Sequence, residues 1–155
     1  MRACGAMSRA EMPPIDGGIW LTGTYREPMQ DFRRLVVWQR AHAFTLDIRR
    51  AVDGFPKTGY ADLKAQMRRA ADSIPSNIVE GCAAASRKEF ARYLDLSIRS
   101  ASEIDYQLQL ARDLGVLRYA TWKPLACEIV EIRKMLWALR RTVLATANPA
   151  RQPDA

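Results

Sequence analysis

Between Phe32 and Ala147, apolar residues recur three and four positions apart, the period of a helix with one buried face. Val37, Ala41, Phe44, Ile48 and Phe55 set a first run, with Ala51 filling the gap, and Leu63, Met67, Ala70 and Ile74 set a second. The third is the most regular: Phe90, Leu94, Ser97, Ala101, Ile104, Leu108 and Ala111. Leu125, Ile129, Ile132, Leu136, Leu139 and Val143 make the fourth. Alternation at period two is sustained nowhere, so the pattern predicts an all-α chain of four helices. The stretch holds only Gly54, Gly59, Gly81 and Gly115. Glycine is costly inside a helix and favoured just beyond its end, so these four are expected to mark the joints.

The helix ends carry their own signals. Ser86-Arg87-Lys88-Glu89 has the form of a capping box, in which the serine hydroxyl accepts from the Glu89 amide and the carboxylate reaches back to the Ser86 amide. Gly115 suits a left-handed stop for the third helix, and Thr121 is expected to cap the fourth with Pro124 in its first turn. Pro75 falls inside the second run, where its missing amide predicts a kink or break near Ser73-Ile74, at a cost of ~3 kcal/mol unless packing compensates.

Short joints between long helices predict an antiparallel up-down-up-down four-helix bundle over residues 32–147, with crossings near ~+20°. Residues 1–31, rich in Gly and Pro, read as a flexible N-terminal arm, and residues 148–155 as a disordered tail. A second set of large apolar residues lies off the four stripes: Trp38, Leu46, Leu96, Ile98, Leu110, Val130, Trp137 and Leu144. A single bundle has little room for all of them, which predicts a homo-oligomer.

Composition narrows the chemistry. The 155 residues are 48% hydrophobic and 26% charged, as in an ordinary globular chain. Cys4, Cys82 and Cys127 are odd in number and widely spaced, and His42 is the one histidine, so neither a disulfide framework nor a zinc site is expected. Cys82, beside the Gly81 joint, is expected to be exposed, and Cys127 reads as a small helix hydrophobe. No phosphate-loop, dinucleotide, zinc-protease, serine-hydrolase or calcium motif occurs. With no positioned nucleophile and base, the chain is read as non-enzymatic, with no catalytic residue, metal or cofactor. No run of ~20 apolar residues or signal-peptide core is present, so the expected location is the cytoplasm and no membrane contact is foreseen.

Charge supplies the clue to a partner. Twenty-four Lys and Arg against 17 Asp and Glu give a formal charge of +7. The excess lies in the first and fourth helices, while the third is balanced with five of each sign. Arg133, Arg140 and Arg141 share a face with Trp137 between them, and Arg68 and Arg69 add a pair on the second helix. Arg68, Arg69, Arg133, Lys134, Arg140 and Arg141 are therefore the expected contacts to a nucleic acid, RNA in the first place, holding phosphate rather than reading bases. The rival reading is an adaptor with an acidic protein partner. Gln66, Ser73, Asn77, Glu80, Ser100 and Glu103 fall beside the apolar stripes, which predicts a structural polar network fixing helix register around Pro75.

Several strings in the chain resemble a known family. Val37-Trp38-Gln39-Arg40-Ala41-His42, Phe55-Pro56, and above all Arg68-Arg69-Ala70-Ala71-Asp72-Ser73-Ile74-Pro75-Ser76-Asn77-Ile78-Val79-Glu80-Gly81 are similar to the four helix bundle protein family, also called the 23S ribosomal RNA intervening-sequence protein family. The likeness continues through Ser86-Arg87-Lys88-Glu89-Phe90 and Asp113-Leu114-Gly115, and spans about Phe32 to Ala145. It implies a small bacterial bundle often encoded within insertions in ribosomal RNA genes. A related branch is the accessory variability determinant of diversity-generating retroelements, a basic homopentamer that works with a reverse transcriptase and its template RNA. The resemblance thus implies a pentameric ring and, at one further remove, RNA or reverse-transcriptase binding. Two departures stand out. Cys82-Ala83-Ala84-Ala85 replaces a stretch in which the family commonly has an aromatic or small residue, Gly and one or two basic residues, and Arg99 stands where the family often has Gly.

Overall fold

The computed structural model describes residues 31–146, so the arm and tail, apart from Asp31, lie outside the described residues. A single 3-10 turn, Phe32–Arg34, leads into four helices: α1 (Val36–Asp53), α2 (Ala61–Ala83), α3 (Arg87–Asp113) and α4 (Tyr119–Ala145). Helices consecutive in the chain pack side by side and α1 closes the ring against α4, while the backbones of the diagonal pairs stay farther apart. Side-chain bonds fix the directions. Thr45 meets Ala71 while Asp53 meets Arg68, and Asp95 meets Arg140 while Asp105 meets Arg133. Residue numbers rise on one helix as they fall on its neighbour, as an antiparallel bundle requires.

All four predicted stripes supply the core, with Ala51 and Leu139 half-buried at its edge. Of the off-stripe set, Ile98 is buried and Trp38, Leu110 and Leu144 pack against the core. Leu46, Leu96 and Trp137 stay exposed, on three different helices.

The helix ends depart from expectation in three places. Ser86 Oγ does accept from the Glu89 amide at 3.1 Å, but the Glu89 carboxylate takes the Ala85 amide at 3.0 Å rather than that of Ser86. α4 begins two residues before Thr121, with Arg118 at its N-cap and no side-chain cap, which puts Pro124 beyond the first turn. Gly81 is not a joint. It lies within α2, buried, where a Cβ would come 2.4 Å from Cδ2 of Phe90 and 3.1 Å from Cβ of Tyr93. The missing side chain lets the start of α3 close onto α2. Gly115, by contrast, has φ +71°, the left-handed stop expected of it.

α2 is unbroken across Pro75, which is itself buried. The proline cannot donate to the Ala71 carbonyl one turn back. Thr45 Oγ1 on α1 lies 2.9 Å from that oxygen and donates to it. Ser97 Oγ on α3 donates to the Ile74 carbonyl at 3.0 Å. The break fails to appear because hydroxyls from both neighbours satisfy the backbone of this turn.

Candidate nucleic-acid interface

The predicted basic residues are mostly engaged within the bundle. Arg133 Nη1 lies 3.0 Å from Asp105, and Arg140 Nε lies 2.6 Å from Asp95, so both are tied to α3. Lys134 sits 2.8 Å from Glu131 on its own helix, and Arg68 sits 2.5 Å from Asp53 on α1. The exposed Arg69 and Arg141 have no ion-pair partner among the described residues. Trp137 is 52% exposed and carries the Arg140 guanidinium 5.6 Å from its ring centroid. The aromatic-basic face of α4 is therefore present as the spacing requires, but α3 carboxylates lace it shut.

That lacing changes the charge of α3. Four of its five acids are committed: Asp95 and Asp105 to α4, Asp113 to Arg112 and Gln109, and Glu89 to the cap, while Glu103 stays exposed with a bond from Gln107 and no ion pair. Lys88, Arg92 and Arg99 are left exposed without an ion-pair partner among the described residues. Spacings of four and seven put these three on one outer face, with the exposed Leu96 at its border. Counting charge helix by helix hides this stripe, since α3 is neutral by number. The available signal was position. Asp95 follows the core residue Leu94 and Asp105 follows Ile104, just as Arg133 follows Ile132 and Arg140 follows Leu139, which places all four on a helix seam.

Two acids, Asp113 and Glu131, hold their charge more firmly than free carboxylates. Hydrogen bonds from Arg112, and then from Gln109, draw the Asp113 carboxyl below the usual carboxylate range. Lys134 does the same for Glu131. On the α1–α4 seam the bidentate Arg40–Glu128 pair, at 2.6 and 2.7 Å, pushes the Arg40 pKa up. Beside that pair lies an open cleft of about 540 Å³, lined by Asp47, Arg50, Ala51, Thr121, Pro124, Leu125 and Glu128.

The six polar residues beside the stripes separate into parts. Asn77 Nδ2 donates to Ser73 O and Oγ at 2.8 and 2.9 Å, and Ser100 Oγ donates to Ser73 Oγ at 2.9 Å across the α2–α3 seam. Glu103 accepts from Gln107 within α3. Gln66 and Glu80 are exposed and joined to neither group. The hydroxyl that answers Pro75, on Thr45, lies outside the predicted set.

Cys82 is buried, which pushes its thiol up to about 11, and Cys127 is exposed, the reverse of the sequence reading. His42 is exposed and stacks on Trp38 with centroids 5.2 Å apart. Among the described residues no group of three or more His, Cys, Asp or Glu is placed to hold a metal ion, and no helix is long and apolar enough to cross a membrane. At the α3–α4 joint a further cluster forms that charge counting does not reveal. Tyr119 and Trp122 lie 5.4 Å apart between centroids, with Arg112 4.4 Å and Lys123 6.0 Å from the Trp122 ring.

Comparison with known proteins agrees with the fold. No curated protein matches the chain. Among solved structures it is similar to a protein of unknown function from the S23 ribosomal protein family of Bacteroides thetaiotaomicron. The two share 23% identity and a TM-score of 0.65, over 68% of this chain and 99% of the other. At that identity the likeness is one of fold. Residues 33–138 match the 23S rRNA-intervening sequence protein family, and the chain belongs to it.

Proposed function

We propose that this member of the 23S rRNA-intervening sequence protein family is a non-enzymatic, cytoplasmic, self-associating bundle that binds RNA through its unpaired cations. One observation carries the reading. Nine basic residues are spent in ion pairs, and among the described residues eleven others remain against four unpaired acids, Asp62, Glu80, Glu89 and Glu103. The free positive charge is therefore more one-sided than the formal count suggests, and a polyanion is its natural complement. Lys88, Arg92 and Arg99, with Arg69 and Arg141, are the phosphate contacts. Arg68, Arg133, Lys134 and Arg140 act mainly on the bundle itself. The exposed Leu46, Leu96 and Trp137 support self-association, in which a pentameric ring, as the resemblance to the retroelement accessory proteins implies, would multiply the charge. In that setting a reverse transcriptase is the companion protein.

Filter binding to single-stranded and duplex RNA across a salt series tests the reading. Affinity should fall steeply with salt, by ~0.7 log units per phosphate contact per decade for a single strand and ~0.9 for a duplex. Absent or salt-insensitive binding overturns it and leaves the adaptor with an acidic protein partner.

A further inference from the structure

We infer that the α3–α4 end of the bundle is a stacking site for an unpaired base of a single-stranded nucleic acid, with the base on Tyr119 and Arg118 and Lys123 on the flanking phosphates. The inference rests on the RNA reading above and extends it from phosphates to bases.

Tyr119 is 63% exposed at the first position of α4, so most of its side chain is open to solvent and it contributes little to the core. Behind it stands Trp122, half-buried, tilted 39° and 5.4 Å away between centroids. Trp122 in turn carries the Arg112 guanidinium 4.4 Å from its centroid. The outermost ring is thus backed by Trp122 of its own helix, which Arg112 of α3 covers in turn, and an incoming base would extend that series. Aromatic rings and guanidinium planes are the surfaces on which single-stranded bases stack, and a duplex hides those base faces.

The charge at this end has the matching sign. Arg118 and Lys123 are exposed and lack an ion-pair partner among the described residues. Asp113, the acid beside the stack, is occupied by Arg112 and Gln109. α4 opens with no acidic residue in its first turn and no side-chain cap. Cations held near a positive helix end are mutually unfavourable, so this local choice works against the fold. Phosphates held by Arg118 and by Lys123 relieve the conflict.

The test measures binding of oligouridine and of the abasic strand of the same length, which has the same phosphates but no bases. Three proteins are compared: the full chain, Tyr119→Ala and Tyr119→Phe. The full chain should prefer the base-bearing strand. Tyr119→Ala should weaken that strand about tenfold while leaving the abasic strand unchanged, and Tyr119→Phe should bind as the parent does. Equal affinity of the parent for both strands, or no effect of Tyr119→Ala, overturns the stacking site and leaves the RNA reading standing. Failure to bind either strand overturns both.

Discussion

At the scale of single residues, the most informative contact is the hydrogen bond from Thr45 to the Ala71 carbonyl, because it explains how a buried proline sits inside a continuous helix. Thr45 also lies 3.0 Å from its own Ala41 carbonyl, the ordinary back-bond of a helical threonine. Its single proton can serve only one acceptor at a time, and Ala71 is the one with no amide to turn to. Thr45→Val keeps the shape and removes the donor, leaving a buried carbonyl unpaired at a cost of about 1–3 kcal/mol. In a Pro75→Ala background residue 75 regains an amide for Ala71, so the same substitution should cost much less. Urea unfolding of the four proteins in this cycle should give a coupling of at least ~0.5 kcal/mol. Additive costs would mean that Thr45 acts through packing alone.

At the scale of the helices, the stripes were legible because burial at 3.6-residue spacing leaves a mark on every turn, and the core residues Ile48, Met67, Leu94 and Ile132 sit where that spacing puts them. Gly81 departs from the joint expected of it because glycine serves two ends. It stops helices, and it lets two of them touch, and the sequence does not distinguish a left-handed turn from the Phe90 ring pressed against it. The free cations depart from expectation for a related reason. Arg133 and Arg140 were read from their own helix, whereas their charge is answered from α3 by Asp105 and Asp95. Each of these inter-helix pairs is about a third exposed, so each stabilises the bundle by only about 0.2–1 kcal/mol. Their larger effect is to engage two of the five acids of α3 away from its outer basic stripe. Replacing Lys88, Arg92 and Arg99 together with Gln should therefore flatten the log-log salt dependence of single-strand binding by ~2 units. Replacing Arg133 and Arg140 with Gln frees two carboxylates, which weakens binding at low salt and lowers the melting temperature as well. Equal slopes for the parent and the α3 variant would remove that stripe from the interface.

At the scale of the whole molecule, the question is whether one bundle or several share a strand. α3 and α4, at 27 residues each, are about 40 Å long, which limits how much of a strand one bundle can follow. Eleven cations lack an ion-pair partner among the described residues, and Arg2, Arg9, Arg26 and Arg151 lie outside them. At ~0.7 log units per neutralised phosphate, even all fifteen together cap the salt slope of one chain near ~10, and geometry keeps a short strand well below that. A ring presents the same stripe several times at fixed spacing, so a strand that outruns one copy reaches the next without paying again for association. The slope and the affinity should then keep rising as oligouridine is lengthened beyond about 40 Å of contour, while light scattering reports a constant multimer. For a lone bundle the slope levels off once the strand exceeds that length, because further phosphates find no cation. A plateau together with a monomer mass would confine the RNA contacts to one bundle and leave Leu46, Leu96 and Trp137 as isolated surface apolars, as commonly found on soluble proteins.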